Sequence, residues 1–124
     1  MVVDDEALQR AQIDRTLAQA GHEVDGAPGG NQALARLKEK RYDLLITDLM
    51  MEEGTGFEVL EWVRRNAPGL PVIVCSSYAS PENLKAFLGA NPYRIVRKPF
   101  SPDGLLGQVR GLLEDVGYRP PDET

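Results

Sequence analysis

The 124-residue sequence has a single cysteine and a single histidine, and both scarcities narrow the kinds of site it can hold. Cys75 has no second cysteine to pair with, so no intramolecular disulfide can form, and a reducing compartment is compatible with the chain. Because Cys75 ends an apolar run, a buried packing role is favoured over that of a nucleophile. His22 lies in a polar turn and is interpreted as a surface residue rather than a metal ligand.

Long hydrophobic runs and an excess of positive charge are also lacking. No stretch approaches the length of a membrane span, and the amino terminus lacks the basic and apolar regions of a signal peptide, so we expect a cytoplasmic location without membrane contact. The net charge is −5, whereas phosphate binding needs a basic face. We therefore expect no direct binding of nucleic acid by this domain, and any DNA-directed output would come from a partner.

The glycines at 29 and 30 fit neither the P-loop nor the dinucleotide fingerprint, so they predict a turn.

The sequence does contain a regular alternation of predicted strands and helices. Short apolar runs predict five strands, over residues 1–3, 22–27, 44–48, 71–75 and 93–96. Apolar residues at helical spacing predict a helix after each strand, over residues 7–20, 31–41, 57–67, 81–90 and 102–116. This alternation predicts one doubly wound α/β domain, with a parallel five-stranded sheet and five helices. The first strand is short for a central strand, so we expect that a few upstream residues are missing.

Several helix ends carry recognisable signals. Gly21 and Gly117 are predicted to end the first and last helices. Asn91 can take the left-handed conformation that ends a helix, and Pro92 prevents continuation of the fourth helix. Ser101, which is followed by a proline, is predicted to cap the last helix.

Polar residues follow four of the five predicted strands. Because the carboxyl ends of parallel strands share one edge of the sheet, where open α/β folds bind ligands, we expect these residues to lie together. They are Asp4 and Asp5 after the first strand, Asp48 after the third, Ser76 after the fourth and Lys98 after the fifth. Taken alone, Asp48 is as compatible with a structural role, as a helix N-cap or turn residue, as with a binding site. The polar residues at the ends of the other strands favour the binding site.

Three carboxylates in one place favour a bound cation, because like charges repel. Hard oxygen ligands suit Mg²⁺, which also accepts phosphate oxygens. A carboxylate such as Asp48 can attack phosphorus to give an acyl phosphate when positive charge neutralises the phosphoryl oxygens, and Mg²⁺ and Lys98 can supply that charge. The Ser76 hydroxyl can donate a hydrogen bond to the phosphoryl group, and Pro99 is a candidate for a cis peptide bond.

Together these residues resemble the receiver domain of two-component response regulators. The resemblance covers nearly the whole chain and rests on residues 2–6, 45–51, 72–76 and 98–100. Each pattern alone is weak, and their order and separations make the set strong. The resemblance implies a flavodoxin-like fold with strand order 2-1-3-4-5, a receiver domain over residues 1–117 and a tail or linker start over residues 118–124. Such a chain is either a stand-alone receiver or a piece of a larger regulator.

The resemblance also implies a role for each acidic residue. Asp48 would be the phosphoacceptor. Asp5 and Asp48 would bind Mg²⁺ directly, or Mn²⁺ in its place, and Asp4 would act through water. The main-chain carbonyl of Met50 would complete the protein ligands.

Ser76 would take the place of the family's switch serine or threonine, and Lys98 that of the family's conserved lysine. Three nearby positions depart from the family pattern. Glu52 stands where proline is common and adds an acid near the metal loop. Ile95 stands where an aromatic switch residue is usual. Ser77 follows the switch hydroxyl in place of a smaller residue, a mild change that should still admit a phosphoryl group.

Three further residues bear on switching and on the lifetime of the phosphorylated form. Tyr93, two residues before Ile95, could partly substitute for the missing aromatic ring. Met50 and Tyr78 occupy the two positions that influence phosphoryl lifetime in this family. Both are bulky, and neither can position a hydrolytic water as an acid or amide can, so we expect a comparatively long-lived phosphorylated form.

The implied function is a phosphorylation-controlled switch and not a classical enzyme, since it would catalyse only its own phosphorylation and dephosphorylation. The phosphoryl group would come from a histidine kinase or a histidine phosphotransfer protein. Phosphorylation would bias the fourth helix, fifth strand and fifth helix between two arrangements. That face, around Ala86, Arg94 and Gly107, is the expected site for a homodimer contact or an unidentified effector.

Two alternatives use the same residues differently. A pseudo-receiver would bind proteins without phosphorylation, and Ile95 and Glu52 favour it, whereas the complete set of acids and the lysine disfavours it. A magnesium-dependent phosphatase of the haloacid dehalogenase type would also form an aspartyl phosphate. It needs a second acid two residues after the nucleophile, and that position is Met50.

Overall fold

The predicted alternation of strands and helices is present in the computed structural model of the chain, which describes residues 1–49, 56–76, 85, 88–89 and 91–118. The strands are β1 (Val2–Val3), β2 (Gly26–Ala27), β3 (Leu45–Asp48), β4 (Val72–Ser76) and β5 (Tyr93–Arg97). The helices with bounds in these ranges are α1 (Ala7–Gln19), α2 (Gly30–Glu39), α3 (Gly56–Asn66) and α4 (Pro102–Asp115).

The five strands form one sheet in the order β2-β1-β3-β4-β5, and every neighbouring pair is parallel. The flavodoxin-like order 2-1-3-4-5 is thereby confirmed. The second strand is shorter than the expected 22–27, because only Gly26 and Ala27 are paired in register with β1, opposite Val2 and Val3. An edge strand extends only as far as the neighbour with which it pairs.

The side chains of alternate strand residues enter two separate apolar layers, as expected for a sheet covered on both faces. Residues from β1, β3 and β4 pack with α2 and α3 in one layer, which includes Val3, Leu45 and Val74. The residues next to them in sequence pack with α1 and α4 in the other layer, which includes Val2, Ile46 and Ile73. The sheet is therefore held from both sides, and its carboxyl edge lies between the two layers of helices.

The helix ends at Gly21 and Gly117 are confirmed. Both glycines have positive φ, at 95° and 74°, and a hydrogen bond from the following residue closes each helix. His22 N–H donates to the Leu17 carbonyl at 3.1 Å, and Tyr118 N–H donates to the Leu113 carbonyl at 2.9 Å. At the start of α4, the Ser101 hydroxyl accepts from the N–H of residue 104 at 3.0 Å, which confirms the predicted cap.

The fourth predicted helix lies largely outside the described residues, so four helices have described bounds against the five predicted. Within it, Lys85 and Leu88 are helical. Gly89 is the residue with positive φ, at 57°, and its N–H donates to the Lys85 carbonyl at 3.1 Å. The left-handed conformation expected of Asn91 was wrong, since no non-glycine residue in the described ranges has positive φ.

Asn91 has a different role, which depends on a contact with a distant part of the chain. Its side-chain amide donates to the main-chain carbonyls of Ala67 and Leu70, at 2.8 and 3.0 Å, in the turn after α3. Asn91 is buried, and it fastens that turn to the start of β5.

No helix in the described part of the chain is both long and apolar enough to cross a membrane.

Cys75 is buried in β4, as its apolar surroundings predicted. Burial raises the pKa of its thiol to about 12, and this outweighs the opposing charge of Lys98. The thiolate is the reactive form, so at pH 8 only about one native molecule in ten thousand would carry it.

We therefore expect native protein to resist labelling by a chromogenic disulfide reagent at pH 8, and protein unfolded in urea to react with one equivalent. The Cys75→Ser variant provides the blank. Fast labelling of the native protein would show that the thiol is accessible and the packing role incorrect.

Candidate functional site

The predicted site residues that the structure describes lie together at the carboxyl edge of the sheet. Asp4 follows β1 directly, Asp48 and Ser76 are the last residues of β3 and β4, and Lys98 follows β5. Lys98 N–H donates to the Ser76 carbonyl at 3.3 Å, which ties the segment after β5 to the end of β4. Ser76 is buried, with 3% of its surface exposed.

Three carboxyl groups form the acidic part of this site. One carboxylate oxygen from each of Asp4, Asp5 and Asp48 lies within 4.8 Å of the other two. Asp4 is buried, Asp48 is partly exposed and Asp5 is exposed, so a small cation could reach the cluster from solvent. Hard oxygen donors at this spacing are compatible with Mg²⁺ or Mn²⁺.

Asp4 has no exposed surface, and protein donors bind both of its carboxylate oxygens. The Glu6 N–H donates to Oδ1 at 2.9 Å, and the Lys98 ammonium lies 3.4 Å from Oδ2. The main-chain N–H of Asp4 donates to the Ala27 carbonyl at 3.1 Å, which joins it to β2. These contacts offset the large cost of burying a carboxylate.

The Asp48 carboxylate is held at both oxygens. The Leu49 N–H donates to Oδ1 at 2.7 Å, and the Lys98 ammonium donates to Oδ2 at 2.8 Å. The Thr47 hydroxyl donates to the Asp48 main-chain carbonyl at 2.8 Å. The Asp48 side chain keeps 12% of its surface exposed, which leaves it accessible to a small reactant.

Lys98 is the cation that contacts two of the three acids. Burial lowers the pKa of its ammonium group, but the hydrogen bond and charge of Asp48 and the charge of Asp4 outweigh burial, so the pKa of Lys98 lies above its usual value. Lys98 therefore remains charged throughout the neutral range. The peptide bond between Lys98 and Pro99 is cis, the isomer that the sequence raised as a candidate.

Gly56 begins α3 and lies against the main chain at the end of β3. Its N–H donates to the Leu49 carbonyl at 3.0 Å. A Cβ atom at position 56 would lie 2.1 Å from the Asp48 carbonyl oxygen and 2.7 Å from the Leu49 Cα, both far inside van der Waals contact. Only glycine permits the start of α3 to approach the Asp48 main chain this closely.

The switch positions are only partly described. Ile95 pairs with Val74, two residues before the end of β4, and packs partly buried against the layer that contains α2 and α3. Tyr93 lies on the same face of β5 but pairs with Val72, roughly 7 Å farther from the site at the rise of a strand. A role for Tyr93 in place of an aromatic residue at 95 stays a prediction.

Five predicted positions lie outside the described residues: Met50, Glu52, Ser77, Tyr78 and Ala86. Of the expected output face, Arg94 of β5 donates to Gln108 and pairs with Asp115 on α4. Gly107 is exposed on the same helix.

One residue that contacts the site was not predicted from the sequence. Arg10 of α1 donates from Nη1 to the main-chain carbonyl of Asp4 at 2.6 Å. It precedes the buried Ile13 and Leu17 by three and seven residues, so it lies on the inward stripe of the helix. A charged residue on an otherwise apolar stripe is the signal that would have drawn attention to it.

The family model described as "Response regulator receiver domain" matches residues 1–110. The chain belongs to the response regulator receiver domains. Receiver domains are the signalling switches of two-component systems and are not classical enzymes.

Individual relatives agree with this assignment. The receiver domain is 31% identical over 122 residues to the "Probable transcriptional regulatory protein TcrX" of Mycobacterium tuberculosis, covering 98% of this chain and 52% of that protein. The structure of the Vibrio cholerae chemotaxis protein CheY4 superimposes with a TM-score of 0.79 and 34% identity, covering 90% of this chain and 95% of that one. The receiver domain thus spans about half the length of the curated relatives that it matches.

Gly56→Ala should lower the free energy of unfolding by about 2 kcal/mol or more, because the added methyl group meets main-chain atoms that cannot move independently. Gly107→Ala is the matched control, since a Cβ there has no neighbour within 4 Å, and it should stabilise α4 by up to about 1 kcal/mol. Urea denaturation of both variants measures the difference. Equal effects would mean that the close approach at Gly56 is not required.

Proposed function

We propose that this receiver domain accepts a phosphoryl group on Asp48 from a histidine kinase or a histidine phosphotransfer protein, in a reaction that depends on Mg²⁺. The observation that carries the proposal is the 2.8 Å contact between Lys98 and Asp48 within a cluster of three carboxyl groups. An acid that is only structural would need no such arrangement of acids at the open edge of a sheet. The presence of all four charged groups disfavours the pseudo-receiver.

In the transfer, a carboxylate oxygen of Asp48 forms a bond to phosphorus while the bond between phosphorus and the donor's histidine nitrogen breaks, and the electron pair leaves with that nitrogen. Bound Mg²⁺ supplies positive charge that the phosphoryl oxygens need. Lys98 contributes a second positive charge beside the accepting carboxylate, and its raised pKa keeps that charge present at neutral pH. The buried Ser76 hydroxyl stands at the adjacent strand end as a hydrogen-bond donor to the product.

Asp5, Asp48 and the main-chain carbonyl of Met50 would hold the metal. The indirect role proposed for Asp4 is supported by its burial, because it has no exposed surface whereas Asp48 is partly exposed. Asp5, by contrast, is exposed at the rim of the cluster. Mn²⁺ takes oxygen ligands of the same kind and would serve as a substitute.

A binding partner would recognise the switched state on the face formed by β5, α4 and the helix expected before β5. The main-chain contact between Lys98 and Ser76 connects this face to the site. A homodimer or an effector would bind around Arg94 and Gly107. The protein named as a probable transcriptional regulator suggests a DNA-directed output in a longer protein, and with a net charge of −5 this domain would leave DNA binding to another domain or partner.

We also propose that the receiver domain ends at Gly117, where α4 closes, and that residues 118–124 form a tail or the start of a linker. The long-lived phosphorylated form expected from Met50 and Tyr78 stays a prediction.

The test is the intact mass of the purified protein after incubation with acetyl phosphate and Mg²⁺. We expect one added phosphoryl group per chain. The group should be absent from the Asp48→Asn variant, which lacks the attacking oxygen, and from a sample in EDTA, which lacks the metal.

If no mass is added, binding of beryllofluoride, which mimics a phosphoryl group, separates rapid hydrolysis from inability to react. Beryllofluoride bound in the presence of Mg²⁺ would support the phosphoacceptor. A protein that neither gains mass nor binds beryllofluoride would contradict the proposal and support the pseudo-receiver.

A further inference from the structure

Arg10 makes two contacts that join three parts of the fold. Its guanidinium Nη1 donates to the main-chain carbonyl of Asp4 at 2.6 Å. Its aliphatic stem lies over Gly26 of β2, where an added Cβ would be 3.3 Å from the Arg10 Cδ and 3.6 Å from Cγ and Nε. Arg10 therefore connects α1, the turn after β1 and the edge strand β2.

The carbonyl that Arg10 binds belongs to the peptide group between Asp4 and Asp5. Rotation of this peptide would move the main chain of Asp5 relative to the fixed carboxylate of Asp4. The N–H of Asp4 donates to the Ala27 carbonyl, which holds Asp4 from the β1 side. The hydrogen bond from the Glu6 N–H to Asp4 Oδ1 spans the Asp4–Asp5 peptide, and Arg10 holds the carbonyl oxygen of that same peptide.

The start of α1 has no side-chain cap of its own. Glu6 is the N-cap residue, and its side chain makes no capping hydrogen bond. The first turn of α1 contains no acidic residue. A charge-assisted hydrogen bond from a planar guanidinium is strong and directional, and its stem is itself held by the sheet.

We propose that Arg10 is a positioning residue of the metal site, which fixes the Asp4–Asp5 peptide and thereby the separation of the two carboxylates. This inference rests on the proposed function, because it assigns Arg10 a role toward the metal that the acidic cluster would hold. Groups that orient metal ligands without touching the metal commonly change its affinity by about ten- to a hundredfold when they are removed.

The experiment measures Mn²⁺ affinity by electron paramagnetic resonance of the free ion, and thermal midpoints in EDTA, for a set of variants. Arg10→Met keeps a stem over Gly26 and removes the donor, so Mn²⁺ binding should weaken about tenfold. Arg10→Lys keeps a charged donor and should restore most of the affinity lost in Arg10→Met, because a single hydrogen bond to one carbonyl does not need the bidentate geometry of a guanidinium. Arg15→Met is the matched control, because Arg15 is exposed on the same helix and its loss changes the net charge equally.

Rescue by lysine with unchanged affinity in the Arg15 control supports positioning through the Asp4 carbonyl. Parental affinity in Arg10→Met overturns the inference. Equal losses in Arg10→Met and Arg15→Met also overturn it, because they would reflect net charge alone. Equal losses in Arg10→Met and Arg10→Lys, with equally lowered midpoints in EDTA, overturn it in favour of a purely structural role.

If Arg10→Met does not fold, Arg10→Gln replaces it with the same expected result, since its amide is too short to bind the Asp4 carbonyl. Mn²⁺ binding by the parent protein distinguishes a failure of this inference from a failure of the proposed function. Failure of the parent to bind Mn²⁺ at all would count against the metal site itself, whereas strong binding by the parent and all variants would count against Arg10 alone.

Discussion

The structure at the carboxyl edge of the sheet depends on how the negative charges of Asp4, Asp5 and Asp48 are balanced. Their carboxylate oxygens lie within 4.8 Å of one another, and Asp4 has no exposed surface. Lys98 contacts Asp4 and Asp48, so its single positive charge lies against two of the three carboxyl groups. The remaining excess of negative charge favours a divalent cation, and under the proposed function that cation would offset the negative charge of an incoming phosphoryl group.

The fold provides this balance through its parallel register rather than through any single loop. Asp48 pairs with Cys75 across β3 and β4, so the ends of the two strands lie side by side, and Ser76 extends one residue further. Lys98 reaches the acids because its N–H is bonded to the Ser76 carbonyl immediately after β5. The two apolar layers hold the strands from both sides. The strand ends therefore stay in place although the carboxylates that they carry repel one another.

Features that follow from residue patterns, from the family resemblance or from the general geometry of parallel sheets could be predicted from the sequence. The strand order followed from the family resemblance, and the helix ends at Gly21 and Gly117 from residue type and position. The placement of Asp48 and Lys98 at one edge followed from the rule that parallel strands end together. These predictions needed no knowledge of which distant residues touch.

Features that depend on distant contacts could not be predicted. The length of β2 is limited by the short β1 beside it. Asn91 binds carbonyls more than twenty residues away, which no local signal for a helix end reveals. The position of Arg10 on the apolar stripe of α1 is visible in the sequence, but its contact is not, because the partner is a main-chain carbonyl. The need for glycine at position 56 arises from the approach of α3 to Asp48.

The most direct test of the central claim is the thermal midpoint of the protein in MgCl₂ and in EDTA, with ionic strength matched by KCl. If the acidic cluster is a cation site, binding to the folded state alone should raise the midpoint by about 5 °C at a concentration ten times the dissociation constant. Asp48→Asn, which removes one of the three carboxylates, should reduce that rise. Identical midpoints in MgCl₂ and KCl would show that the cluster does not bind a divalent cation and would contradict the account.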